Sequence, residues 1–269
     1  MNDREFKKRY GPWALVTGGA SGIGAGFASR LARLGIDLVL ADIQTGAVTE
    51  HARALKERFS VTVVPITVDL ADPDFLKLIR AATRRIEIGL LVNNAGWGTA
   101  GEFMKTDPAE MRRTIAVNCT APMALAREFG PAMVERGRGG IIFVSSASAL
   151  QVTPVLANYA ATKAYSLVLA EAMWEELRSY GVDVLAICPG ATDTPAFHKS
   201  GACIENVPGM PLMTPAEVVD EALSILGKRP SIVTGLINRV ATMVISRLLT
   251  RKMSVVFSGK NMRKLFPDA

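Results

Sequence analysis

At 269 residues, with 49% hydrophobic and 21% charged residues, the chain has the length of one large α/β domain and enough apolar material to fill a core. The net charge of +6 is modest and scattered, gathering only at Lys7, Lys8 and Arg9 and loosely between Arg247 and Lys264. It lacks the dense basic stripe with interleaved aromatics that marks a nucleic-acid binder. Three unpatterned cysteines (Cys119, Cys188, Cys203) and two histidines (His51, His198) argue against a disulfide scaffold and a protein-held zinc, and for a reducing, cytoplasmic compartment. The polar N-terminus gives no expectation of a signal peptide, and no apolar run reaches membrane-spanning length.

In chain order, short apolar runs alternate with longer amphipathic ones. Residues 13–18 (WALVTG) read as a buried strand entering a glycine-rich turn, followed by a helix over 22–34 that Gly35 ends. A strand over 37–42 and a helix over 45–58 come next, then a strand over 61–69 and a helix over 73–85 with Asp72 as its N-cap. The fourth strand is 89–96, followed by one long helix over 108–136 that absorbs Pro122 by a bend or break. Strand 140–146, helix 158–180, strand 182–190, helix 215–226 and a short strand over 231–235 complete the pattern. Such alternation, with near-continuous apolar strands, predicts a mainly parallel seven-stranded sheet covered on both faces: a doubly wound Rossmann fold in a single domain over 1–269. Residues 236–269 form an apolar and basic extension, with Val240, Met243, Val244, Leu248 and Leu249 approximating a helical stripe beside Arg239, Arg247, Arg251 and Lys252. Three roles are open for it: packing on the domain or a subunit interface, shaping the substrate entrance, or weak contact with an acidic membrane surface.

The turn TGGASGIG (17–24) follows the first strand and opens the first long helix. Gly18 allows the tight turn, Gly22 lets backbone approach a ligand, and Gly24 lets helix pack on sheet; the helix N-terminus supplies free N–H groups for an anion. Its spacing is wider than the usual dinucleotide fingerprint, and it lacks the Lys-Ser/Thr ending of a triphosphate loop. Asp42 closes the second strand, where a carboxylate binds adenosine ribose hydroxyls and repels a 2′-phosphate. No Lys or Arg stands in the turn or directly after Asp42, which favours NAD over NADP. The alternative is a strand-end cap. Asp69, at the end of the third strand, is a second carboxylate at that edge, suited to the adenine or to a turn.

Further along, Tyr159 and Lys163 stand four apart on a predicted helix and share a face. A phenol is a poor base at neutral pH, and a neighbouring ammonium favours its phenolate. Ser145 and Ser146 end the fifth strand, at the sheet edge where open α/β sheets bind ligands. Each of these residues alone also fits a structural role.

Taken in order, Thr17-Gly18-x-x-x-Gly22-x-Gly24, NNAG (93–96), Asn118, Ser146, Tyr159-x-x-x-Lys163 and Pro189-Gly190 with Thr194 resemble the short-chain dehydrogenase/reductase family, over residues 13 to 235. A shorter likeness, in YGPWALVTGGASGIG, is to its ketoacyl and hydroxysteroid reductases. The resemblance implies a catalytic set of Asn118, Ser146, Tyr159 and Lys163; Ser146 is chosen over Ser145 by its thirteen-residue offset from Tyr159. In it Ser146 holds the substrate oxygen, Tyr159 exchanges the proton, Lys163 tunes Tyr159 and bonds the nicotinamide ribose, and Asn118 holds a water of a proton relay. The implied cofactor contacts are Gly18, Ser21, Gly22, Ile23, Gly24, Asp42, Asp69, Leu70, Asn94, Ala95, Gly96, Tyr159, Lys163, Pro189, Gly190, Thr192 and Thr194. Thr192 stands where the family often has Val.

The expected activity is hydride transfer between NAD(H) and a lipophilic secondary alcohol or ketone, in a homodimer or homotetramer. An NADPH-dependent 3-oxoacyl or hydroxysteroid reductase and a non-catalytic dinucleotide sensor are the alternatives. The expected substrate side comprises Trp97, Leu150, Val152 and Val155, with a lid over 194–214 carrying Phe197, Met210, Leu212 and Met213. His198 reads as a surface residue of that lid.

Overall fold

In a computed structural model, which describes residues 2–245, 249–267 and 269, seven parallel strands form one sheet in the order β3-β2-β1-β4-β5-β6-β7. The strands are β1 (Trp13–Thr17), β2 (Asp37–Asp42), β3 (Val63–Thr67), β4 (Ile88–Asn93), β5 (Gly139–Val144), β6 (Val182–Cys188) and β7 (Ser231–Val233). Every residue of β4, β5 and β6 is buried. That explains why these strands read as near-continuous apolar runs: both faces are covered. Alternate residues feed two cores. Ala14 and Val16 point to one, with helices α2 (Gly22–Arg33), α3 (Thr45–Phe59) and α9 (Pro215–Ile225); Leu15 points to the other, with α4 (Phe75–Thr83), α6 (Ala121–Glu135) and α7 (Ala157–Arg178). The strand order reverses between β1 and β4, so the loops leaving their C-terminal ends diverge and leave the crevice that such sheets use for ligands.

The N-terminal helix α1 (Asp3–Tyr10) was not anticipated from its charged sequence. An Asn2–Glu5 capping box starts it, and Phe6 and Tyr10 bury against the first core. The Tyr10 hydroxyl donates to Asp183 Oδ2 at 2.7 Å, and Arg9 Nε donates to the same oxygen at 2.5 Å, which pins the helix beneath the start of β6.

Two predicted boundaries are corrected. Helix α4 starts at Phe75, and Asp72 does not cap it: its Oδ1 accepts from Asp74 N at 2.8 Å and builds the preceding turn. The long helix predicted over 108–136 is two helices, α5 (Pro108–Ile115) and α6, joined by a π-helical turn over Ala116–Thr120. Pro122 therefore falls in the first turn of α6, where a missing N–H costs little.

The extension contains α10 (Leu236–Met243) and α11 (Arg251–Leu265), after the short α8 (Pro195–Lys199) of the lid. Arg247 and Leu248 of the predicted stripe lie outside the described residues. Helix α11 packs on the domain itself: Met262, Leu265 and Phe266 form a third apolar cluster with Ala100, Val155, Leu156, Ala202, Val207 and Met210. Those residues come from the loops after β4, β5 and β6, so α11 packs against all three loops. Two hydrogen bonds fix it to the 194–214 loop, main-chain Cys203 N to Leu265 O at 2.7 Å and side-chain Asn206 Nδ2 to Lys264 O at 3.0 Å.

Candidate active site

The glycine turn lies at the switch point, braced from the neighbouring strand. Thr17 Oγ1 accepts from Asn94 N and Ala95 N, each at 3.0 Å, and Asn94 Nδ2 donates to Thr17 O at 2.9 Å and Gly18 O at 3.2 Å. A Cβ on Gly18, where φ is +64°, would lie 2.8 Å from Asn94 Nδ2, and one on Gly24 would overlap the Gly18 carbonyl. The turn is thus a backbone cradle that side chains would fill, as a dinucleotide pyrophosphate requires. Thr194, from the Pro189-Gly190 loop, closes its other wall: a Cβ on Gly22 would lie 3.0 Å from Thr194 Cγ2. That loop is held in place by Ala147 N on Pro189 O at 2.8 Å, by Thr192 Oγ1 on Gly190 O at 3.1 Å, and by Asp193 N on Met213 O at 2.8 Å.

Asp42 is buried, and both its oxygens take main-chain donors, Oδ2 from Ala20 N and Oδ1 from Gln44 N, each at 3.0 Å. It therefore caps the strand end and holds the glycine turn, and it still sets a negative charge beside it. Asp69 accepts from Ala71 N at 2.9 Å and pairs with Arg113 Nη2 at 2.9 Å. Ser21 precedes α2 without a side-chain capping bond, while the Leu70 side chain is buried in one core and Ile23 packs, partly exposed, against the other. His51, from α3, bonds Gly19 O through Nδ1 at 2.9 Å; its spacing gave no signal of this.

Asn118, Ser146, Tyr159 and Lys163 come together beside this cradle. Ser145 is spent on structure, its buried hydroxyl donating to Lys163 O at 2.7 Å. Ser146 stands close enough to Tyr159 to influence its titration, and its hydroxyl accepts from Ser148 N at 3.2 Å. Lys163 is 5% exposed; its Nζ donates to Val144 O at 2.9 Å and lies 5.6 Å from the centre of the Tyr159 ring. Burial raises the Tyr159 pKa above its usual range, and the nearby Ser146 hydroxyl partly opposes this. Burial lowers Lys163 to about 8, against smaller opposing effects from Cys119 and Cys188. Gly96 and Gly98 leave room for this pair: a Cβ on Gly96 would stand 3.2 Å from Lys163 Nζ, and one on Gly98 would stand 2.5 Å from the Tyr159 ring.

Asn118 lies in the π-helical turn with both amide hydrogens and one Oδ1 lone pair engaged. Oδ1 accepts from Trp97 N at 2.8 Å, and Nδ2 donates to Trp97 O at 2.8 Å and Thr162 Oγ1 at 2.9 Å. Thr162 Oγ1 donates on to Tyr159 O at 2.7 Å, and Ser166 Oγ donates to Asn118 O at 3.0 Å. Thr162 and Ser166 were not singled out from sequence, though they share the Tyr159–Lys163 face at positions i+3 and i+7. On the substrate side, Trp97 is held by Nε1 on Glu110 at 2.8 Å, with the Arg113 guanidinium 4.9 Å over its ring. Leu150 and Met213, expected to face substrate, pack onto the two cores, whereas Val155 and Met210 meet α11. His198 is exposed and bonds Asp193 at 2.7 Å. Among the described residues no helix is long and apolar enough to cross a membrane, and no cluster of His, Cys, Asp and Glu could hold a metal.

This constellation can bind a dinucleotide across the switch point and exchange a proton at an oxygen held by Ser146 and Tyr159. The chain matches the family model for short chain dehydrogenases over residues 12–203. The 7beta-hydroxysteroid dehydrogenase of Clostridium sardiniense is 30% identical over 239 residues, spanning 87% of this chain and 89% of that protein. A solved structure reported for 7beta-hydroxysteroid dehydrogenase stereoselectivity has a TM-score of 0.86 at 26% identity, over 94% of this chain and 98% of that one. A short-chain dehydrogenase from Sphingobium yanoikuyae in complex with NADPH has a TM-score of 0.77 at 32% identity, covering 88% and 94% of the two chains. The 3-ketoacyl-(acyl-carrier-protein) reductase of Brucella melitensis complexed with NADH has one of 0.73 at 25% identity, covering 83% and 96%. The chain belongs to the short chain dehydrogenase family and is an alcohol/ketone oxidoreductase that uses a nicotinamide dinucleotide.

Proposed function

We propose that the chain interconverts a bulky, lipophilic secondary alcohol and its ketone with NAD(H), with Tyr159 as the general acid and base. The observation that carries this reading is the buried Lys163 ammonium 5.6 Å from the centre of the Tyr159 ring, with Ser146 near the same side chain and lowering its pKa. When bound, the nicotinamide supplies or accepts the hydride. Ser146 and Tyr159 orient the substrate oxygen. In the reductive direction the Tyr159 hydroxyl gives its proton to that oxygen; in the oxidative direction the phenolate takes the proton from the alcohol. Because burial keeps Tyr159 protonated, the resting side chain suits proton donation to a ketone. Lys163 offsets the phenolate charge and can bond the nicotinamide ribose. The Asn118 side chain ties Trp97 to Thr162 and so positions the 96–98 segment, while its Oδ1 and its main-chain carbonyl each keep a lone pair for a relay water. A dinucleotide sensor would need neither Tyr159 nor Lys163.

NAD is favoured because the buried Asp42 carboxylate stands beside the glycine turn and would repel a 2′-phosphate. Likeness to 7beta-hydroxysteroid dehydrogenases over most of the chain supports fused-ring alcohols as the substrate class. Exposed Ile115, Met123, Tyr165 and Val168 on α5, α6 and α7 support pairing of copies through these helices. The three cysteines, all unpaired, support a reducing compartment such as the cytoplasm.

The test is a screen of steroid, acyl and sugar alcohols and ketones with both dinucleotides, followed by Tyr159→Phe. Turnover should fall by at least about a hundredfold in the variant, with dinucleotide binding kept. Unchanged turnover would overturn the mechanism. Tighter binding of NADPH than of NADH would overturn the reading of Asp42.

A further inference from the structure

Helix α10 is inside out. Its polar residues face the protein: Asn238 Nδ2 donates to Thr234 O at 3.0 Å and packs against Gly190, Arg239 pairs with Glu221, and Thr242 is buried. Its solvent face is apolar at helical spacing, with Leu236 69% exposed, Ile237 62%, Val240 49% and Met243 51%. Helix α11 repeats the inversion over its first turns. Ser254 and Ser258 are buried, while Met253, Val256 and Phe257 are about half exposed. A helix that merely packs on its domain does the opposite, so this face is built to leave water.

Charge narrows what covers it. From Leu236 to Pro267 the sequence has no Asp or Glu, and Arg251, Lys252, Lys260, Arg263 and Lys264 are exposed around the apolar residues. A second copy meeting this face across a two-fold axis would set these cations against their own kind with no acid in the segment to offset them. Apolar residues flanked only by cations match an anionic bilayer surface, where the apolar face enters the acyl boundary and lysines meet headgroups. Neither helix can cross a membrane, so the segment lies on it.

We propose that the outer faces of α10 and α11 form a monotopic docking surface for anionic lipid bilayers. The inner face of α11 closes the substrate side through Val155, Leu156 and Met210, so docking sets the substrate mouth at the bilayer, where lipophilic alcohols and ketones partition. That last consequence rests on the lipophilic-substrate reading; the docking itself does not.

The experiment is vesicle flotation of the whole protein, with phosphatidylcholine alone against phosphatidylcholine and phosphatidylglycerol in equal parts. Binding is expected to the anionic vesicles only and to weaken with salt. Lys252→Glu with Lys260→Glu should weaken it by about fivefold or more per position. Ile237→Glu, Val240→Glu, Val256→Glu and Phe257→Glu together should abolish it, with turnover of a water-soluble alcohol and the melting temperature unchanged. Absent binding, or equal binding to both vesicle types, overturns the proposal. So does an apolar-face variant that keeps lipid binding but changes mass in light scattering, since the face would then join copies. Flotation is read without catalysis, so a wrong substrate class leaves this result standing.

Discussion

Replacing Lys163 with Met removes the one titration that the fold perturbs most usefully. The ammonium is 5% exposed and burial lowers it to about 8, from an ordinary 10.5. Cys119 and Cys188 supply no counter-charge near neutrality, because burial raises both thiols, Cys188 to about 12. Below pH 8 the folded protein carries a buried ammonium that the unfolded chain would carry in water. The shift from 10.5 to about 8 corresponds to about 3 kcal/mol of stability, absent below pH 8 and fully present only above 10.5. Between pH 7 and pH 9.5 the wild type should regain about 2 kcal/mol of it through this group. The methionine variant has no such titration, so its urea-unfolding free energy should lack that rise while sharing the slopes from other groups. At neutral pH the variant should match or exceed the wild type in stability while losing turnover. Parallel pH profiles for the two proteins would refute the reasoning, since Lys163 would then titrate in the folded state as it does in water.

Two further perturbations probe the frame around the site. Val155 has φ +62°, a left-handed conformation that strains a β-branched residue by about 1–2 kcal/mol, while its side chain packs against α11. Val155→Gly should therefore be more stable than Val155→Ala, reversing the usual loop order, and equal or inverted midpoints in urea would show that the strain is not there. Tyr10→Phe removes the hydroxyl that donates to Asp183 at 2.7 Å in a fully buried setting, and should cost about 2 kcal/mol in denaturant melts. An unchanged midpoint would mean that Arg9 alone satisfies that carboxylate.

What could be read from sequence follows from what periodicity and short motifs encode. Strands buried on both faces, such as 139–144, announce themselves as unbroken apolar runs, and the βα alternation then fixes a parallel sheet. Helix α1 was missed because its burial rests on only Phe6 and Tyr10 and its anchor is Asp183, far along the chain. The extension was legible as amphipathic, but which face turns inward depends on partners outside it: Gly190 and Glu221 draw Asn238 and Arg239 inward against the apolar rule. In the site, Tyr159 and Lys163 carry a recognisable spacing, whereas Trp97, Gly98 and His51 act through contacts that no local pattern records.

The break between α5 and α6 shows how one residue type sets up the site. An α-helical carbonyl at position 118 would accept from the N–H of residue 122, and residue 122 is proline. The chain therefore relaxes into a π-helical turn, closed by Ala121 N on Ala116 O, and the Asn118 carbonyl loses its ordinary donor. Ser166, one turn beyond Lys163 on the facing helix, supplies a donor at 3.0 Å. The same turn aims the Asn118 amide at Trp97 and Thr162, while Val117 and Ala121 stay in the core. Helices α5 and α6 are thus stitched to α7 along the line of Tyr159, Thr162, Lys163 and Ser166. The loop after β4 is stitched to the same line, which brings Gly96 beside Lys163. Pro122 touches none of the reacting atoms, yet without it the Asn118 carbonyl would close into an ordinary α-helical turn and the bond to Ser166 would have no reason to form.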